Sequence, residues 1–323
     1  MKTRLLGLLL LAVLALPAAA QSTPEDALSA VVAVHAKVGA RARSAQTLGT
    51  QRAGSGALVR DGVVLTIGYL VMEADEIRVT GADGRSVPAT LAAFDAPSGL
   101  GVLKLLAPLG GRPIALGDAE RVAVRDRAIA VTAAARAEPT LVHIVSRRPF
   151  AGNWEYQLDS AIFTFPPVDD WSGAALIGAK GELLGIGSLV VADAAGGGTQ
   201  SPGNLFVPVD LVRAAMDGLI ANGRRSGPAR PWLGLTTDEV RGRLFVSRVS
   251  PESPAARAGL KAGDLVLSVG ADDVTTLAEF YRKLWGRGAA GVEVPLKVLQ
   301  GSAIREVKVR SIDRNDYFKR STY

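Results

Sequence analysis

Cysteine is absent from the 323 residues, and histidine occurs only twice, as His35 and His143. The first absence excludes a disulfide scaffold, a thiolate nucleophile and a cysteine-ligated metal, and it closes the lipoprotein route of anchoring. The second leaves few imidazoles to serve as general base. Aromatic residues make up 5% of the chain, and none lies between Gln21 and Gly68. A long membrane-spanning run is missing too. The apolar stretch Leu5 to Leu16 is shorter than the ~20 residues a transmembrane helix needs. Preceded by Lys2 and Arg4 and followed by Pro17 and Ala18 to Ala20, it reads as a cleaved secretory signal. Nor is there a strong charge of one sign. Without Lys2 and Arg4, 35 of the 37 basic residues remain against 31 acidic ones, scattered along the chain as a solvated surface rather than a nucleic-acid footprint. What is present, 48% apolar residues, suits two or three folded domains.

From Val31 to about Phe206 the chain shows short β-rich runs separated by turns: Ala57 to Arg60, Val63 to Ile67, Glu76 to Thr80, Gly101 to Leu105 and Ala128 to Thr132. That spacing indicates an all-β sandwich or barrel. Hairpin turns are expected at Asp61-Gly62 and within Gly178 to Glu182. A helix is expected to begin at Asp210 and end at Gly223, and residues 223–231 have linker composition. Beyond them the pattern mixes strands at 244–249, 265–269, 292–299 and 305–309 with helices at 255–258 and 277–285.

Two segments together carry a resemblance: Gly54-Ser55-Gly56-Ala57-Leu58-Val59 with Leu65 to Val71, and Trp171-Ser172-Gly173-Ala174-Ala175-Leu176. They resemble the HtrA/Deg family of exported trypsin-like serine proteases. The likeness continues through residues 95–103, Gly185-Ile186-Gly187 and Asn204 to Pro208, and Ser253 to Asp264 is similar to a bacterial PDZ signature. The resemblance implies a mainly β chain, a trypsin-like double β-barrel followed by a small α+β PDZ domain. The boundaries are a signal peptide over 1–20, the protease-like domain over 21–227, the PDZ domain over 228–312 and a solvated C-terminal tail over 313–323.

Family chemistry needs a nucleophilic Ser, a His that takes its proton and an Asp that orients the His. By the resemblance, Ser172 is the nucleophile, Tyr69 stands at the His position and Gly99 at the Asp position. Asp170 and Trp171 occupy the oxyanion-hole region, where the family has Gly two residues before the Ser. A phenol is a poor general base, neither His falls at the motif position, and the spacing of Lys104 and Lys180 offers no Ser-Lys pair. Loss of the triad costs roughly 10⁴ to 10⁶ in rate, so Ser172 reads as a vestigial nucleophile. The retained PDZ pattern implies capture of peptide ends by strand addition. Its loop is Trp232-Leu233-Gly234-Leu235, and its helical wall carries Leu277, Phe280, Tyr281 and Leu284. The expectation is an exported, periplasmic or extracellular pseudoprotease that binds peptide or protein termini, with active protease relatives or envelope proteins as partners. No cofactor, metal, nucleic acid or stable membrane insertion is expected. The alternative is an active endopeptidase using Ser172 with a non-standard base.

Overall fold

The structure is a computed structural model, and it describes residues 24–133, 138–198 and 200–318. The expected signal segment lies outside these residues. Alternating apolar and polar positions give strands with one buried face, and Val32, Val34, Ala36 and Val38 supply that face in the first of them. Six strands, β1 (Val31–Val38), β2 (Gln51–Arg60), β3 (Val63–Ile67), β4 (Ala74–Thr80), β5 (Ser86–Asp95) and β6 (Leu100–Leu105), close into a barrel in the order β1-β2-β3-β6-β5-β4. Asp61 and Gly62 form the expected tight turn, with Gly62 at φ 68°.

A second antiparallel barrel contains β7 (Arg127–Val131), β8 (Thr140–Gly152), β9 (Tyr156–Phe165), β10 (Ala175–Ile177), β11 (Leu183–Val191) and β12 (Gly203–Pro208), in the order β10-β11-β12-β9-β8-β7. The two barrels meet where glycine leaves room for backbone. A Cβ at Gly54 would lie 2.5 Å from the Ser172 carbonyl oxygen, and one at Gly173 only 1.9 Å from that of Ser55. The Ser55 N–H donates to the Ser172 carbonyl at 2.8 Å. Glycines in both motifs are thus required by close approach.

The helix expected over 210–223 is broken into Asp210–Arg213 and Met216–Asn222. Met216 and Leu219 join the first barrel's core, and Gly223 closes the second piece in the left-handed conformation. The third sheet holds β13 (Leu235–Val240), β14 (Arg243–Val249), β15 (Leu265–Val269), β16 (Asp272–Asp273), β17 (Glu293–Gln300) and β18 (Ala303–Arg310), with β13 at one edge. The helix Leu277–Trp285 packs on it, capped by the Thr276 hydroxyl accepting from the Glu279 N–H.

Two segments are more firmly held than their composition implies. In the linker stretch, Arg225 forms a two-pronged ion pair with the buried Asp95, and Arg230 lies over the Trp285 ring at 4.4 Å. The tail expected to be solvated is instead docked as far as it is described. Residues Arg314–Tyr317 form a helical turn, Tyr317 is buried against Trp232 at 4.6 Å, and its hydroxyl donates to the Pro251 carbonyl. Large aromatic surface removed from water outweighs the entropy of a free end.

Candidate functional site

Strand β3 passes directly into a single helical turn, Gly68–Val71. Gly68 is needed there, because a Cβ would meet the Phe94 ring at 2.4 Å. The turn points Tyr69 at the second barrel, where its oxygen lies 2.8 Å from Ser172 Oγ and 2.9 Å from the Ser188 carbonyl oxygen. A carbonyl only accepts, so the phenol gives its single proton to Ser188. Ser172 must then donate to the phenol oxygen. Burial pushes the Tyr69 phenol up to about 12, against the Ser172 hydroxyl and the Trp171 side chain, which favour the ionised form. At pH 7 only about one molecule in 10⁵ would carry the phenolate that a base requires.

Gly99 lacks a carboxylate, and its surroundings leave little room for one. Its φ is +74°, and a Cβ would lie 3.1 Å from the Tyr156 ring. Tyr156 holds that place by donating to the Ser98 carbonyl at 2.7 Å. The nearest buried acid along the chain, Asp95, faces Arg225 and Ser98. Asp170 is exposed and Trp171 half-buried against the second barrel's core. The N–H of Gly173 donates to the Gly187 carbonyl and that of Ala174 to the Trp171 carbonyl, so both groups point into the fold. His35 and His143 sit on exposed strand positions, and Lys104 and Lys180 are exposed as well. Sequence and structure therefore bring together Ser172 and Tyr69, with Gly99 behind them.

In the third domain Leu233, Leu235, Leu277, Phe280, Tyr281 and Leu284 are buried, and all six belong to one apolar core. Trp232 faces Tyr317 and Phe318, so its ring serves the docked tail. Gly234, at φ +89°, lets the loop turn tightly. The N–H groups of Leu233, Gly234 and Leu235 converge and all donate to the Glu155 carboxylate, at 2.9, 2.6 and 2.8 Å. Burial pushes the Glu155 carboxyl up to about 7, opposed by those three N–H groups and by the Arg314 guanidinium. Sequence reasoning missed Glu155, Tyr156, Asp95 and Arg225. None of them carries a motif signal, because their partners lie far along the chain.

Residues 54–186 match the Trypsin-like peptidase domain family and residues 231–310 the PDZ domain family. The chain is 29% identical over 272 residues to the periplasmic pH-dependent serine endoprotease DegQ of Escherichia coli, covering 79% of this chain and 58% of that protein. It is 30% identical over 270 residues to the Escherichia coli serine endoprotease DegS, covering 78% and 74%. The chain thus spans little more than half the length of DegQ and about three quarters of DegS. The solved structure of the HtrA-type protease AlgW with a decapeptide shares the fold, with a TM-score of 0.55 at 20% identity over 91% of this chain and 99% of that one. With both domains matched in the same order as two barrels and a PDZ sheet, the chain belongs to the HtrA family of trypsin-like serine proteases.

Proposed function

We propose that this chain is an exported HtrA-type protein without peptidase chemistry, which acts as a peptide- or protein-binding module through its PDZ domain and residual cleft. The observation that carries the reading is what stands beside the nucleophile: the Ser172 hydroxyl lies 2.8 Å from the oxygen of the buried Tyr69 phenol, which also lies 2.9 Å from the Ser188 carbonyl. No proton acceptor of useful strength then stands at the nucleophile. Export is supported by the Lys2, Arg4 and Leu5 to Leu16 pattern and by the periplasmic relatives. Peptide capture is supported by the PDZ match and by the AlgW structure solved with a decapeptide. The partners are peptide or protein termini, including those of active protease relatives or envelope proteins.

The test combines a fluorophosphonate probe with unfolded casein. Neither labelling at Ser172 nor cleavage is expected. Tyr69→His alone stays inactive as well, because a His without its orienting carboxylate loses roughly 10⁴ in rate. Labelling of the wild-type protein that disappears in Ser172→Ala would overturn the proposal and establish an endopeptidase with an unorthodox base.

A further inference from the structure

The peptide groove of a PDZ domain lies between the carboxylate-binding loop, the edge strand that follows it and the facing helix. Here that space holds a segment of the protein's own second barrel. Strands β8 and β9 are joined by the three-residue turn Asn153-Trp154-Glu155. The Glu155 carboxylate accepts from all three converging loop N–H groups, as a terminal carboxylate would. The Asn153 carbonyl accepts from the Thr237 N–H of edge strand β13 at 2.8 Å, a step of strand addition. Asn153 Nδ2 donates to Asp238 Oδ1 at 2.7 Å. From the facing helix, the Tyr281 hydroxyl donates to the Gly152 carbonyl at 2.7 Å and accepts from the Glu155 N–H at 3.1 Å. Ala151 packs against the PDZ core.

The turn itself is shaped by this docking. Glu155 has φ 56°, the left-handed conformation that the last residue of a three-residue hairpin adopts and that glycine fills best. A glutamate there is strained by contact of its Cβ with the backbone. Its three charge-assisted N–H bonds offset that strain. A residue that breaks the local rule at a tightly bonded site points to a contact built for a purpose.

We infer that the β8–β9 turn is a resident internal ligand of the PDZ groove, so that a partner with a free C-terminal carboxylate binds only by displacing Glu155. This rests on the PDZ domain being a peptide receptor, as proposed above, and specifies how that receptor is gated. A tethered ligand acts at an effective concentration of about millimolar or more, and the apparent affinity for an outside peptide falls in proportion to the open fraction.

Glu155→Gly is the informative variant, since glycine suits the turn and removes the carboxylate. The probes are fluorescein-labelled octapeptides ending in Val, Leu or Phe, each as free acid and as amide, titrated by anisotropy against the full chain. In parallel, amide hydrogen exchange is followed at Leu233, Gly234 and Leu235 without peptide. Expected are at least about tenfold tighter binding of a free acid by Glu155→Gly, no binding of the amides, and at least about tenfold faster exchange of the three amides in the variant. Glu155→Gln, with an uncharged acceptor, falls between. Equal exchange in wild type and Glu155→Gly overturns the inference, whatever the peptides do, and so does equal affinity for a bound peptide. If exchange accelerates but no octapeptide binds either protein, occupancy of the groove stands and the receptor reading fails.

Discussion

Replacing Tyr69 by phenylalanine removes one oxygen and keeps the ring, which isolates what the phenol does. In the structure that oxygen serves two groups, the Ser188 carbonyl at 2.9 Å and the Ser172 hydroxyl at 2.8 Å. Ser188 is 4% exposed, so its carbonyl would be left without the phenol's proton in a buried place, at about 1–3 kcal/mol. Ser172 is half-buried and can turn its hydroxyl to water at little cost. A loss of about 2 kcal/mol follows, equivalent to a melting shift of about 4–8 °C for domains of this size. Guanidinium unfolding followed by tryptophan fluorescence should show a lower midpoint with an unchanged slope. Casein hydrolysis should be absent in both proteins. Stability within about 0.5 kcal/mol of wild type would refute the hydrogen-bond assignment. Wild-type hydrolysis that falls more than about tenfold in Tyr69→Phe would identify the phenol as a working base.

Arg225→Ala leaves the Asp95 carboxylate, 1% exposed in its side chain, without its cation, and a loss of about 3 kcal/mol is expected in thermal unfolding. Adding Asp95→Asn should recover part of that loss, and failure to do so would show that the pair is not coupled. At alkaline pH, burial holds Tyr69, Tyr156, Tyr281 and Tyr317 above the ordinary phenol value. Between pH 10 and 12 the folded state therefore binds more protons than the unfolded one, and the stability present below pH 10 is lost as pH rises through that window. Absorbance at 295 nm should show these phenols ionising together with the loss of circular dichroism, whereas four tyrosines titrating near pH 10 in a folded protein would contradict their burial.

Much of the architecture was legible from short-range pattern. Strand β3, the Asp61-Gly62 turn, strand β15 and the Leu277–Trp285 helix follow their sequence signals residue for residue, because each rests on local preference: a short apolar β-branched run, a left-handed glycine or a hydroxyl cap. The break in the helix after Arg213 and the long β8–β9 hairpin were not legible. Arg147, Arg148 and Pro149 hide the alternation of β8, and only closure of the barrel makes that segment a strand. The contacts that hold linker and tail were not legible for a related reason. Composition reports what a segment prefers alone, while Arg225 and Tyr317 are held by partners about 130 and 66 residues away in sequence.

The amino-acid order alone gave the motifs that carry Tyr69, Gly99 and Ser172, since motif spacing needs no folding to be read. Only the tertiary structure decided what those positions do. It set the Tyr69 oxygen between Ser172 and the Ser188 carbonyl and placed the Tyr156 ring over Gly99. It also brought Glu155, 78 residues before Leu233, into the loop that would hold a partner's terminus. Such contacts join groups far apart along the chain, and their energies depend on burial and hydrogen-bond direction, which no local pattern encodes.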